Sequence, residues 1–156
     1  MKKKKYLAKN LKETKKIAEK IIEEMAKNGI NLLLLEGELG AGKTALAGEV
    51  LSILGAKGPF TSPTFVVIKK YDLKSILKKN YFEGINSVYH LDCYRVSKND
   101  IIDLGWNEII TDKKNLVLVE WPEKIRDLWP EKYLRVKLES IGENSRKIET
   151  LTEEVC

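Results

Sequence analysis

Eight consecutive residues of this chain have the types and spacing for phosphate chemistry: Gly37-Glu38-Leu39-Gly40-Ala41-Gly42-Lys43-Thr44. They fit G-x-x-x-x-G-K-[ST], the P-loop, in which glycines let successive backbone N–H groups turn inward as an anion nest. In that pattern Lys43 reaches the β- and γ-phosphates of a nucleotide, and the Thr44 hydroxyl ligates Mg2+. A glycine-rich turn followed by a surface lysine would give the same letters, so the surroundings decide. Such a site also needs acid at the end of a neighbouring apolar strand. Glu120 closes the run Asn115-Leu116-Val117-Leu118-Val119 and is the predicted metal carboxylate. Asp92 closes Ser87-Val88-Tyr89-His90-Leu91 and is either a water-mediated Mg2+ ligand or an orienter of the attacking water.

Other reactive types are weaker signals. Thr61, Ser62 and Thr64 flank the rigid Pro63 and form either a phosphate-sensing switch or a plain turn with local hydroxyl-to-backbone bonds. His90 points away from the face of Tyr89 and Leu91, and a lone strand histidine reads as a packing residue before a catalyst. Cys93 reads as a small core residue, with nothing nearby to lower its pKa. Trp121 follows Glu120, is expected to alternate to the opposite side, and is either core or a partner or nucleotide contact.

The elements that must position these groups are legible in outline. Asn31 to Glu36 is a short apolar run, the pattern of a buried parallel strand, and Thr44 to Leu54 carries apolar residues at helical spacing before Gly55. Strand, glycine loop and helix therefore follow in the order the chemistry requires, and the helix dipole adds positive potential at the loop. Asn10-Leu11-Lys12-Glu13 resembles a capping box opening an amphipathic helix with Leu11, Ile17, Ala18, Ile21, Ile22 and Met25 inward, ended by Asn28-Gly29. Phe65 to Ile68 is the next predicted strand, running on toward Tyr71; Leu73 to Asn86 is an exposed helical turn and loop. Ser97-x-x-Asp100 starts a short helix stopped by Gly105, Tyr133 to Leu138 alternates as a half-solvated strand, and Arg146 to Leu151 pairs with it as a hairpin. The predicted fold is α/β: a P-loop NTPase-like three-layer sandwich with a mixed, mainly parallel central sheet and a β-rich C-terminal part.

The 156 residues suit a single domain spanning 1–156, with a basic tail at 1–5 and a variable loop at about 73–86. A hydrophobic content of 43% without a long apolar run excludes a bilayer-spanning helix, and two distant cysteines, Cys93 and Cys156, exclude a disulfide framework. A cytoplasmic, reducing location is expected. The net charge of +5 invites a nucleic-acid reading, but 24 lysines against 4 arginines are scattered without interleaved aromatics. Neither DNA binding nor strong direct tRNA binding is expected.

Together Gly37 to Thr44, Ser62-Pro63-Thr64-Phe65, His90-Leu91-Asp92-Cys93-Tyr94-Arg95 and Leu118-Val119-Glu120-Trp121-Pro122-Glu123 resemble the TsaE family over nearly the whole chain. The P-loop is generic; the other three in this order are specific. Leu104-Gly105 with Glu108, and Thr14 in the first helix, also fit. The resemblance implies a Mg2+-dependent ATPase of bacterial tRNA threonylcarbamoyladenosine biosynthesis. It implies work alongside two partner proteins, TsaB and TsaD, which carry the transfer to tRNA. Lys43 and Thr44 carry over as phosphate and Mg2+ residues, Asp92 and Glu120 as acidic site residues, and Trp121 as functionally important. Cys93 stands where the family has an aliphatic residue, and the segment 73–86 is longer than usual.

Beyond the resemblance, the adenine is expected to lie near Leu11 to Thr14 and Arg146. No Asn-Lys-x-Asp guanine element occurs, and no residue is placed as an arginine finger in cis, Arg95 being the nearest. The competing readings are a P-loop kinase of a small metabolite, disfavoured by the lack of an arginine-bearing lid, and a binding module in which ATP orders a partner surface without turnover.

Overall fold

The computed structural model describes residues 1–73 and 81–152. Its strands and helices are, in chain order, β1 Lys2–Ala8, α1 Leu11–Asn28, β2 Leu32–Glu36, α2 Lys43–Ile53, β3 Ile68–Asp72 and β4 Ser87–Asp92. Then come α3 Lys98–Asp103, α4 Trp106–Thr111, β5 Asn115–Glu120, a 3₁₀ segment Pro122–Leu128, β6 Leu134–Ser140 and β7 Arg146–Thr152. The strands form one seven-stranded sheet in the order β1-β7-β6-β2-β5-β4-β3. β6, β2, β5 and β4 run parallel at its centre, and β1, β7 and β3 add antiparallel flanks, so the sheet is mixed as predicted.

The apolar runs explain the layering. Strand side chains alternate between faces, so a run apolar at every position must be covered on both sides. In β2, Leu33 and Leu35 pack with Leu118, Val136 and the helices α1 and α2. Leu32 and Leu34 face the other way, onto Val117, Val119 and Trp106 of α4. The result is the expected three-layer sandwich. The crevice beyond the carboxyl ends of β2, β5 and β4 is where open α/β sheets place their ligands, because neighbouring strand connections leave in opposite directions there.

Helix α1 begins as predicted: the Asn10 side chain accepts from the Glu13 N–H at 2.9 Å, and Gly29 closes it in the left-handed conformation. Its buried face differs in one place. Leu11, predicted inward, is 68% exposed, while Thr14 and Glu24 are buried. Glu24 accepts from Lys4 at 3.2 Å and from Thr152 at 2.7 Å, tying α1 to both β1 and β7. The lysine run predicted as a basic tail is therefore strand β1, paired antiparallel with β7 from Lys2↔Thr152 to Ala8↔Arg146.

Two further boundaries shift. The strand predicted from Phe65 begins at Ile68, because Pro63 O accepts the N–H of Val66 and of Val67 and holds these residues in a turn, with Val67 at φ 68°. Gly105 ends α3 as predicted, but it also starts α4, a helix absent from the sequence reading. The helical turn predicted within Leu73 to Asn86 falls largely outside the described residues. The ends of that segment meet, with the Leu73 N–H donating to Asn86 O at 2.8 Å. No helix among the described residues is long and apolar enough to cross a membrane.

Candidate nucleotide site

The glycine loop leaves β2 at Gly37 and enters α2 at Lys43. Two of its glycines are required by geometry. A Cβ on Gly37 would lie 2.6 Å from Leu138 O, and Gly42 sits at φ 101°, where side chains are strained. With Gly42 as the N-cap residue, the first N–H groups of α2 open toward the loop, which is the arrangement that receives anions.

Lys43 folds back into its own loop. Its Nζ donates to Gly37 O at 2.5 Å and Glu38 O at 2.9 Å, and lies 4.1 Å from the centre of the Trp121 ring. Burial pushes its ammonium below the ordinary lysine range, opposed by the carboxylates of Glu120, Glu123, Asp92 and Glu38. The loop thus holds a poorly hydrated cation beside four negative groups.

Strand register brings the acids together. β4 and β5 are parallel and in step, so Asp92 pairs with Glu120 at the carboxyl ends of both strands. Glu120 Oε1 accepts from the Thr44 hydroxyl at 2.9 Å, joining the β5 end to the first turn of α2. This hydroxyl–carboxylate pair is a hard-oxygen donor set of the sort Mg2+ takes. Among the described residues no group of three or more His, Cys, Asp or Glu converges on a metal position. Asp92 is occupied differently: its Oδ1 accepts the Tyr94 N–H at 2.9 Å, and its Oδ2 accepts from Ser62 at 3.0 Å and Thr64 at 2.8 Å.

The hydroxyl loop therefore docks on a carboxylate and is more than a local turn. Thr61 does not share in this. Its hydroxyl accepts from Lys69 at 2.7 Å on the exposed side, away from the group that was predicted to include it. Trp121 also departs from prediction. Strand geometry ends at Glu120, and Trp121 takes the left-handed conformation, φ 58° and ψ 48°. Its ring consequently does not alternate away but stands over Lys43 and against Tyr94, with ring centroids 4.8 Å apart.

Lys43, Thr44, Ser62, Thr64, Asp92, Glu120 and Trp121 all line one cavity of about 460 Å³, together with Leu39, Gly40 and Arg95. Arg95 lies over the Phe65 ring, 5.5 Å from its centre. A second hollow of about 500 Å³ is lined by Leu11, Thr14, Leu138 and Arg146. Both hollows share Gly42 and Ala45, so they meet at the start of α2. The Arg146 guanidinium is fixed there by the Ser140 hydroxyl and the Gly142 and Ser145 carbonyls. Ala41 is buried in the core beneath the loop.

His90 is the residue sequence reasoning undervalued. Its Nε2 lies 2.6 Å from Glu120 Oε2, with both side chains buried. The available signal was the spacing His-x-Asp, which puts both side chains on one face of a strand. Cys93 conforms to expectation: burial first, then Asp92 and Glu123, push its thiol up to about 12, which leaves it inert as a nucleophile.

The family described as threonylcarbamoyl adenosine biosynthesis protein TsaE matches residues 8–148. The chain belongs to the TsaE family. Similar proteins include the Bacillus subtilis tRNA threonylcarbamoyladenosine biosynthesis protein TsaE, 35% identical over 148 residues covering 95% of this chain and 85% of the relative. The TsaE protein of Rickettsia felis is 34% identical over 92% of this chain and 77% of its own length. Among solved structures, Bacillus subtilis YdiB aligns with a TM-score of 0.71 and 28% identity, covering 97% of this chain and 86% of that one. The TsaE family match spans all four motifs that carried the resemblance, from the glycine loop to the residues after Glu120.

Proposed function

We propose that this chain is a Mg2+-dependent ATPase required for threonylcarbamoyladenosine modification of tRNA. It acts on a complex of TsaB and TsaD and performs no tRNA chemistry itself. The observation that carries the reading is the meeting of two hollows at Gly42. One is lined by Lys43 and Arg95, the carboxylates of Asp92 and Glu120, and the hydroxyls of Thr44, Ser62 and Thr64, as a triphosphate and its metal require. The other, flanked by Leu11, Thr14 and Arg146, offers apolar and guanidinium surface for a base.

In this mechanism Lys43 exchanges the Gly37 and Glu38 carbonyls for β- and γ-phosphate oxygens, replacing neutral acceptors with charged ones. The loop N–H groups and the start of α2 hold the remaining phosphate oxygens. Thr44 and Glu120 would hold Mg2+, which would supply positive charge to offset that on the phosphates. Asp92, released in part from Ser62 and Thr64, orients the attacking water. Those two hydroxyls then report whether the γ-phosphate is present. Arg95, over the exposed Phe65 ring, lines the cavity without a fixed place on the phosphates, and a partner completes the transition-state charge.

Phosphate release by the isolated chain should be slow, rise on adding TsaB and TsaD, and respond little to free tRNA. Full modification activity with a non-hydrolysable ATP analogue would instead make the chain an ATP-gated binding module. Thr44→Ala and Glu120→Gln should each remove most of the Mg2+ dependence of ATP binding, by roughly 10-fold or more in affinity, with melting temperatures little changed. Unaltered Mg2+ dependence in both variants places the metal elsewhere.

A further inference from the structure

Resting on the metal reading above, we infer that His90 is a positioning residue for the metal carboxylate. Its role is to fix Glu120 so that one oxygen faces Thr44 and the site. The two oxygens of Glu120 have different partners: Oε1 meets the Thr44 hydroxyl at 2.9 Å, and Oε2 meets His90 Nε2 at 2.6 Å. His90 is 1% exposed and Glu120 2%, so the contact between them lies away from bulk water. A carboxylate anchored through one oxygen presents the other in a set direction, as outer partners of metal ligands do.

The other ring nitrogen argues against a packing role. His90 Nδ1 is buried and meets no hydrogen-bond partner among the described residues. A leucine filling the same space would leave no ring nitrogen unpaired. Carrying the proton on Nε2 gives Glu120 its donor and leaves Nδ1 with a lone pair and no stranded N–H. One nitrogen is thus committed to Glu120 at the expense of the other. The strands make the arrangement rigid: His90 is opposite Leu118, two residues before the Asp92–Glu120 pair, on the same face of the sheet.

The test is ATP affinity of the purified full chain in saturating Mg2+ and in EDTA, with melting temperatures, for wild type, His90→Leu and His90→Gln. The affinity ratio between the two conditions should fall roughly 10-fold in His90→Leu, with affinity in EDTA unchanged. His90→Gln, whose amide N–H reaches the Nε2 position, should recover more than half of the ratio on a logarithmic scale. A folded His90→Leu that keeps the wild-type ratio overturns the inference, as does one that loses affinity equally in both conditions. If His90→Leu does not fold, His90→Asn, whose donor stops short of Glu120, takes its place against His90→Gln. Equal ratios in these two overturn the inference. A wild-type chain indifferent to Mg2+ overturns the metal reading and this inference with it. A Mg2+-dependent wild type beside an unaffected His90→Leu overturns this inference alone.

Discussion

Lys43→Ala should lower ATP affinity at least about 100-fold, because at least two charge-assisted hydrogen bonds to phosphate, each worth about 1.5–3 kcal/mol, disappear together. The folded state should tolerate the change. Burial already penalises this ammonium, and Gly37 and Glu38, whose carbonyls accept from it, line a further hollow of about 380 Å³. Calorimetric titration of ATP, alongside a thermal melt, separates the two effects. Tight binding and normal turnover in a folded Lys43→Ala protein would remove the P-loop assignment. A Lys43→Arg variant should recover only part of the loss. The planar guanidinium is larger than the ammonium that sits between two carbonyls and the Trp121 ring, and it cannot act as a compact point charge.

The second large effect concerns Trp121. Trp121→Ala should cut partner-stimulated turnover about 10-fold or more while changing ATP affinity by less than about 3-fold. The ring holds Lys43 from above and Tyr94 from the side, so it feels the state of the loop. Affinity survives because Lys43 and the loop N–H groups, not the ring, meet the phosphates. Turnover with TsaB and TsaD should suffer because a large aromatic at the rim of the cavity is the kind of residue that anchors a partner. Loss of affinity alone would make Trp121 a nucleotide contact instead.

The parts of the site that were legible in the sequence are those set by local pattern. The glycine loop between a buried strand and a helix, the two strand-end carboxylates and the Ser97 capping box all appear where periodicity and capping chemistry put them. What escaped depends on chain segments meeting from a distance. Nothing local to His90 announces Glu120, thirty positions on; only the in-step pairing of β4 and β5 joins them. Trp121 was misplaced because alternation was extended one residue too far, past the point where the backbone turns left-handed. Val66 and Val67 read as strand because both are β-branched, yet the Pro63 carbonyl captured their N–H groups first. Leu11 looked like core by its spacing, but it belongs to the first turn of α1, beyond the edge of the layer beneath.

The lysine run that opens the chain bears on self-association. An open sheet has two unpaired margins, and each is a template on which a strand from another molecule can grow. Here β1 and β3 are the outermost strands, and both carry consecutive lysines, Lys2 to Lys5 on one and Lys69 with Lys70 on the other. Any strand adding to either margin must bring its backbone alongside a row of ammonium groups, strip their water and meet their mutual repulsion. Part of the charge that looked like mere surface decoration thus lies, among the described residues, where fibre-like growth would start. Both described margins of the sheet therefore oppose the addition of a strand from a second copy.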